Sequence, residues 1–486
     1  MLNGLWLGLV VLAVLVGAAA GRLREVTEGA FSMADLAVMK IALPLVGVMA
    51  LWLGLMRLAE RSGLVQVIAG GLRPLLRRLF PEVPENHPAM GAMVMNLAAN
   101  MLGLANAATP LGLRAMRHLE SLNPRPGTAT NAMCTFLAIN TSSIQLIPTT
   151  TVAILAAQKS QDPTAIVGTS LIATFFSTLA GISAVKWMQN WRAFRLDREE
   201  PGETTAAAAA VTVASPAAES ELPPEPTPLT GRGRAIIILL GAGFFSLWLW
   251  ITVAPESHRA FTAAVHGALF SGKAPAAAAD AATQGIVLRG IGTLSLLAVP
   301  FLIAFFPVYA SLRGVRVYEE FVEGAKEGFS VALRIIPFLV AILVAVGMFR
   351  GAGGIEFMQR LLSPLLTPLG FPPDLLPITL VRPLSGGAST ALFAELVQRV
   401  GPDSLTARTA GTILGSTETT FYVIAVYFGS VAVRRTRHAV AAGLTADFVG
   451  VVASVIVCRL MFVTVRPLRA VRKPPPEPRR CRDWRR

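Results

Sequence analysis

The residues best placed to do chemistry in this sequence are amides, hydroxyls and one carboxylate set inside apolar stretches. Asn96 and Asn100 are followed by Asn106 and Thr109, just ahead of Pro110. A second run, Asn140, Thr141, Ser142, Ser143 and Gln145, ends at Pro148. Later come Arg382, Ser385, Ser389 and Thr390 around the pair Gly386-Gly387, then Ser416, Thr417, Glu418, Thr419, Thr420 and Tyr422. A buried amide or hydroxyl without a partner costs roughly 1–3 kcal/mol. So dense a set therefore predicts a polar ligand, an ion or water facing it. The alternative is hydrogen-bonding glue between membrane helices, the usual role of a lone Asn or Thr in such a setting. Glu418 is the sharpest candidate, because a carboxylate within a membrane span is costly and marks a functional site by default. It fits a proton or cation site, or an acceptor for a polar substrate; a structural pair with Arg382 is the plainer reading. Asp447, Lys40, Arg289 and Arg334 are weaker candidates, and Lys40 and Arg334 sit where they could snorkel.

Other chemistries find no support. The five histidines are scattered without metal-ligand spacing, and the three cysteines form no CxxC pair. No GxxxxGK[ST] loop points to an ATP-driven pump. With no nucleophile–base pair either, no enzymatic activity, metal or cofactor is expected.

The elements that must position these residues are membrane helices. The 486 residues are 53% hydrophobic and 15% charged, with a mean hydropathy of +0.58. A soluble domain carries about 25% charged residues. Seven blocks, Leu2–Gly21, Leu36–Met56, Ile166–Trp187, Ala235–Val253, Ile286–Tyr309, Phe329–Phe349 and Ala439–Val465, approach or exceed the roughly 20 residues that cross a bilayer. The first has no basic segment ahead of it and reads as a span rather than a leader. The net charge of +14 resides mostly in loop arginines, and no basic surface interleaved with aromatics suggests nucleic acid. Arg57–Arg78, Arg114–Arg125, Arg192–Arg198, Arg313–Arg316 and Arg434–Arg437 are expected on one side, the cytoplasmic one. The nine Lys and Arg of residues 466–486 oppose that assignment, because nine crossings place this tail outside.

The chain divides in two. Residues 196–232, rich in Ala, Pro and Glu, read as a disordered linker between a first half, 1–195, and a second, 285–465. An extra helix and loop occupy 233–284, and a basic tail 466–486. Pro44, Gly54 and Arg57 recur at identical spacing as Pro337, Gly347 and Arg350, and Ala107, Thr109 and Leu111 match Ala388, Thr390 and Leu392. Each half predicts a span, an amphipathic helix (Glu60–Phe80; Gly354–Leu369), two interrupted apolar segments, and a closing span. Paired interrupted segments at matching places in two repeats are the best sequence pointer to a transporter site. Two spans between the repeats invert the second. The expected fold is an all-α polytopic membrane protein: two inverted repeats with re-entrant hairpins and broken helices.

At these motifs the sequence resembles a known family. Residues 1 to about 190 resemble spore maturation protein A through Trp52-Leu53-Gly54-Leu55-Met56, Asn86-His87-Pro88-Ala89-Met90-Gly91, Asn106-Ala107-Ala108-Thr109-Pro110-Leu111-Gly112, Asn140-Thr141-Ser142 and Leu146-Ile147-Pro148-Thr149-Thr150. Residues from about 290 to 465 resemble spore maturation protein B through Tyr318–Gly328, Arg382-Pro383-Leu384-Ser385-Gly386 and Gly415-Ser416-Thr417-Glu418-Thr419-Thr420-Phe421-Tyr422. The resemblance implies a fusion of the two, each half carrying a nucleoside recognition or Gate domain, similar to parts of concentrative nucleoside transporters and ferrous-iron transporters. It also implies a link to spore-core dehydration. The substrate does not carry over, since one fold hosts many.

Together these readings predict a multi-pass protein of a bacterial cytoplasmic membrane that moves a small polar solute, coupled to a proton or sodium ion, with a homo-oligomer as a further expectation. A non-transporting scaffold or sensor in spore or envelope maturation is the alternative. In the transporter reading, Asn140–Gln145 and Ser416–Tyr422 meet near the bilayer centre, with Asn106–Thr109 and Arg382–Thr390 closing the site. The scaffold reading pairs the polar residues with one another and leaves no solvent-reachable pocket.

Overall fold

A computed structural model describes residues 2–192, 194, 227–269, 285–354, 357, 360, 364 and 371–462. The side chains of 2–5, 105–107, 331, 332, 334, 335 and 338 are not described. Most of the expected linker, the amphipathic segment Gly354–Leu369 and the basic tail lie outside the described residues, as do the side chains of Asn106 and Arg334.

The described chain is helical. The first half contains α1 (Leu2–Ala19), α2 (Leu23–Asp35), a π-helical segment (Leu36–Ala42), α3 (Leu43–Arg61), α4 (Leu64–Leu79), α5 (Pro88–Met101), α6 (Ala105–Glu120), α7 (Asn131–Thr141), α8 (Thr149–Ala157) and α9 (Ile166–Met188). Next come α10 (Gly231–Val253), α11 (Pro255–Leu269) and α12 (Ile286–Leu312). The second half contains α13 (Val317–Gly351), α14 (Leu376–Val381), α15 (Gly386–Val400), α16 (Leu405–Ser416), α17 (Thr420–Gly429) and α18 (Ala439–Phe462).

Among the described residues, five helices are long and apolar enough to cross a membrane: Leu23–Arg61, Ile166–Met188, Gly231–Val253, Ile286–Leu312 and Ala439–Phe462. The composition of these helices implies a lipid bilayer around them. This count differs from the seven apolar blocks. The expected span at Leu36 is part of one 39-residue helix that begins at Leu23 and runs through the π segment. The block Phe329–Phe349 likewise lies within the 35-residue α13. The two helices are tied at one end by charge: Arg57 Nε donates to Glu320 Oε2 at 2.8 Å, and Arg61 lies 3.4 Å from the same oxygen. Lys40 is therefore not near a helix end. Its backbone carbonyl accepts from Gln158 Nε2 at 3.2 Å within the π segment, where the altered ladder leaves helix carbonyls accessible.

These two long helices pack antiparallel, backbone against backbone. A Cβ on Gly29 would lie 2.5 Å from Gly347 O, one on Gly324 2.6 Å from Leu53 O, and one on Gly54 2.7 Å from the Phe321 ring. The partner numbers fall along α13 as they rise along α2 and α3, so Arg57 and Arg350 stand at opposite ends. About 45 Å of helix separates Glu320, the partner of Arg57, from Arg350. The closing helices α9 and α18 are also antiparallel: Gly181 approaches Ala446, Ser177 approaches Gly450, and Thr169 and Cys458 both meet Thr412.

Arginine-bearing connections gather at one end of the bundle through direct hydrogen bonds. Arg313 Nε donates to Ser62 O at 2.9 Å, Lys186 Nζ to Leu79 O at 2.9 Å, and Asn131 to Glu82 at 3.1 Å. Arg437 donates to Phe194 O, Ala129 O and Asn131 Oδ1. The other end holds Arg350 with Glu395 (2.5 Å), Arg399 with Asp374 (3.0 Å) and Ser160 with Asp403 (2.7 Å). Burial pushes the Asp403 carboxyl up, but donation from Gln161, Ser160 and Arg408 outweighs it and holds the group below its usual range.

Candidate functional site

The polar runs fall where helices stop. In the first half α7 ends at Thr141 and α8 begins at Thr149. The last carbonyls of α7 are satisfied locally: Thr141 Oγ1 donates to Ala138 O at 3.0 Å and Ser142 Oγ to Ile139 O at 2.7 Å. Ser143 then takes a φ of 52°, a left-handed conformation costly for a residue with a Cβ. The helix pair α5–α6 turns at Leu102–Leu104, and its tip meets the break, with Leu146 N–H donating to Met101 O at 2.9 Å.

The second half repeats this arrangement. Helix α16 ends at Ser416 and α17 begins at Thr420. The turn between α14 and α15 supplies the partner, with Phe421 N–H donating to Pro383 O at 2.9 Å. Ser385 caps α15, accepting from Ala388 N–H at 3.2 Å, while Ser389 and Thr390 donate to the carbonyls of Ser385 and Gly386. Arg382 reaches across to the open C-terminus of α16. It donates to Leu414 O at 3.0 Å, to Thr417 O, and to Thr417 Oγ1 at 3.3 Å. Its guanidinium is 3.8 Å from Glu418 Oε2, whose side chain remains 29% exposed.

The two breaks touch. Ser143 Oγ donates to Gly415 O at 3.3 Å, and Thr174 Oγ1 of α9 lies within hydrogen-bond reach of both Ser143 O (3.1 Å) and Gly415 O (3.3 Å). The closing helices line the junction with small and hydroxyl side chains: Thr178 meets Ser142 at 2.9 Å, Ser454 meets Ser416 at 3.0 Å, and Thr169 meets Thr412 at 2.8 Å. Thr420 Oγ1 donates to Asp447 Oδ2 at 2.6 Å. Asp447 is 5% exposed and lies near the middle of α18.

The asparagines form a separate network. Asn96 Nδ2 donates to Ala108 O at 2.7 Å and lies 3.3 Å from Tyr427 Oη of the second half. Asn100 Nδ2 donates to Asn140 Oδ1 at 2.8 Å, and Asn140 Nδ2 to Phe136 O at 2.9 Å. This network ties α5, α6 and α7 to α17 and leaves these amides engaged with protein. Its interhalf bond is geometrically long, so Tyr427→Phe should cost only about 1 kcal/mol. A thermal-unfolding shift of a few degrees in detergent checks this; loss of folded protein would give the bond a larger role.

Thr419 is buried, and a Cβ on Gly386 would lie 2.9 Å from its Oγ1, so α15 starts directly against the break. Thr109 and Gln145 are half-buried near the first break. Tyr422 is not brought into the cluster: its side chain is 58% exposed on the outer face of α17. A cavity of about 200 Å³ borders the first break and the α5–α6 tip, lined by Leu102, Leu146, Leu171, Phe301 and Phe306, with Thr149 as its polar contributor. A smaller one, about 20 Å³, lies among Arg350, Glu395 and Arg399.

Comparison with known proteins places this arrangement. The nucleoside recognition (Gate) family model matches residues 42–159 and 332–434, the stretches that hold both breaks and both helix pairs. Spore maturation protein B of Bacillus subtilis (strain 168) is 44% identical over 172 residues, covering 35% of this chain and 97% of that protein. Spore maturation protein A of the same organism is 44% identical over 182 residues, covering 37% of this chain and 92% of that protein. The chain belongs to the spore maturation protein A and B family. Both relatives are spanned almost end to end, consistent with a fusion of the two.

Within this family member, the partners that sequence reasoning underweighted sit on the closing helices. Thr169, Ser170, Thr174, Ser177, Thr178 and Gly181 recur at helical spacing, as do Gly443, Asp447, Gly450 and Ser454. Such small and hydroxyl stripes let membrane helices approach and bond, and they were the available signal. Arg289 of α12 donates to Thr252 O of α10 at 3.1 Å, a bond between the two helices that separate the halves.

Proposed function

We propose that the protein is a secondary transporter or permease of a bacterial cytoplasmic membrane, built from two inverted repeats, moving a small polar solute past the junction of its two helix breaks. The observation that carries this reading is the contact of the breaks, Ser143 with Gly415 and Thr174 with both. Irregular backbone at membrane depth persists only against protein or a wet cavity. Antiparallel pairing of the corresponding long helices, and of the closing helices, supports inversion. The helix pairs turning at Leu102–Leu104 and Arg382–Ser385 act as re-entrant hairpins. The halves are 1–195 and 285–465, with α10 correcting the parity of the fusion. The arginine-rich end is cytoplasmic. The site draws on Asn100, Asn140, Ser142, Ser143, Arg382, Ser416, Thr417, Glu418 and Thr420, and a proton or sodium ion supplies the drive.

The experiment has two arms. Single cysteines replacing Arg57 and Arg350 should label from opposite sides of the membrane; labelling from the same side would end the inverted model. Vesicles with and without the protein should differ in the small polar metabolites they exchange. A scaffold or sensor in envelope or spore maturation remains the second reading. It is favoured by the self-satisfied asparagine network and by the apolar lining of the larger cavity. Matched metabolite exchange in both vesicle sets would select it.

A further inference from the structure

We infer that Asp447, rather than Glu418, is the proton-binding carboxylate of this protein, and that its protonation holds the second helix break closed. The inference rests on the transporter reading only for its purpose; the protonation site stands on geometry alone. Asp447 Oδ2 accepts from Thr420 Oγ1 at 2.6 Å, while Oδ1 has no hydrogen-bond partner. Among the described residues no Lys, Arg or His lies within ion-pair distance of it. An ionised carboxylate so placed would keep an unpaired charge within a packed helix bundle, which folded proteins avoid by neutralising the group. Glu418 differs on each count: it is partly exposed and has Arg382 at 3.8 Å.

The surroundings explain how one proton could matter. The charged groups facing Asp447 are Arg382, from the turn before α15, and Glu418, from the break itself. Helices α7 and α9 present only hydroxyls in this region, Thr141 beside Gly443 and Ser177, which donates to Ala446 O at 2.9 Å. Helix α18 carries no other titratable side chain before Cys458 and Arg459. With Asp447 neutral, Arg382 is free to close the C-terminus of α16 through Leu414 O and Thr417. When Asp447 loses its proton, the new negative charge competes for that guanidinium. Arg382 turning away uncaps α16 and lets water enter between α16 and α17. The cycle balances simply: the carboxylate binds one proton from one side and releases one proton, with no other bond made or broken.

The test is infrared difference spectroscopy on the full-length protein in lipid nanodiscs, between acidic and alkaline buffer, in potassium and in sodium salts. A protonated-carboxyl carbonyl band is expected to titrate in the wild type and in E418Q, and to be absent in D447N. T420V should keep the band and move its frequency, since the hydroxyl bond to the carboxyl is lost. A band surviving in D447N, or vanishing in E418Q, would overturn the assignment. So would a midpoint that moves when sodium replaces potassium, which would mark a metal-cation site instead. Should D447N fail to fold, T420V decides, and an unmoved band there overturns the proposal. Vesicle metabolite exchange run in parallel separates the readings: absent exchange with the band intact removes the transporter reading and leaves the protonation site.

Discussion

Replacing Gly324 by leucine is expected to lower the yield and thermal midpoint of the folded protein sharply. A Cβ at this position would lie 2.6 Å from Leu53 O and 2.8 Å from the Arg57 Cβ, and the carbonyl belongs to the backbone of α3. A flexible side chain could move aside, but a helix backbone cannot do so locally. The helices must part over several turns, breaking the contacts at Gly54 and Gly328 and pulling Arg57 from Glu320. Overpacking a well-filled core costs about 1–3 kcal/mol and more where backbone is the obstacle. That range is a large share of the roughly 5–15 kcal/mol that separates native from unfolded chains. Gly91→Leu is the matched control, since Gly91 is exposed and a Cβ there meets nothing within 4 Å. Yield of monodisperse protein and thermal midpoint in detergent are the measurements. A Gly324→Leu protein as stable as the control would show that the long helices are not held at backbone distance.

Much of this arrangement was legible as punctuation. Pro148 and the polar run before it mark the first break, and Glu418 among hydroxyls marks the second, because intramembrane polar groups and helix-stopping residues are rare enough to stand out. The arginine loops that meet at one end were readable from charge alone. What was not legible depended on partners distant in sequence. The helix from Leu23 to Arg61 reads as two pieces because Glu25, Glu28 and Asp35 interrupt the apolar pattern, and hydropathy cannot tell a helix leaving the membrane from a loop. The pairing of Asn96 with Tyr427 joins residues 331 positions apart. Asp447 is hard to read from sequence because it is the one carboxylate in a long apolar helix, and its hydroxyl donor, Thr420, belongs to a different element. The polar run Ser416–Tyr422 places Tyr422 at the junction. The break turns the chain, however, and α17 presents Tyr422 outward while burying Tyr427.

Arg382→Met should have the second large effect, and it separates structural support from charge. Methionine keeps length and apolar packing but removes every donor. The carbonyls of Leu414 and Thr417 would then face a buried region without the guanidinium that satisfies them. Each buried carbonyl left open costs about 1–3 kcal/mol, so roughly 2–6 kcal/mol is at stake if water does not replace the donor. Arg382→Lys should recover only part of it, because one ammonium cannot reproduce a planar fork that bonds two carbonyls and a hydroxyl together. Glu418→Gln, by contrast, leaves all of these bonds in place and should shift stability by no more than about 1 kcal/mol, in line with a partly exposed ion pair at 3.8 Å. The expected order of thermal midpoints is therefore wild type close to Glu418→Gln, then Arg382→Lys, then Arg382→Met. If Glu418→Gln proves as damaging as Arg382→Met, the pair is a tight structural unit and Arg382 does not act chiefly as the cap of α16. If neither arginine variant loses stability, the break holds itself, and the role given to Arg382 in closing it is wrong.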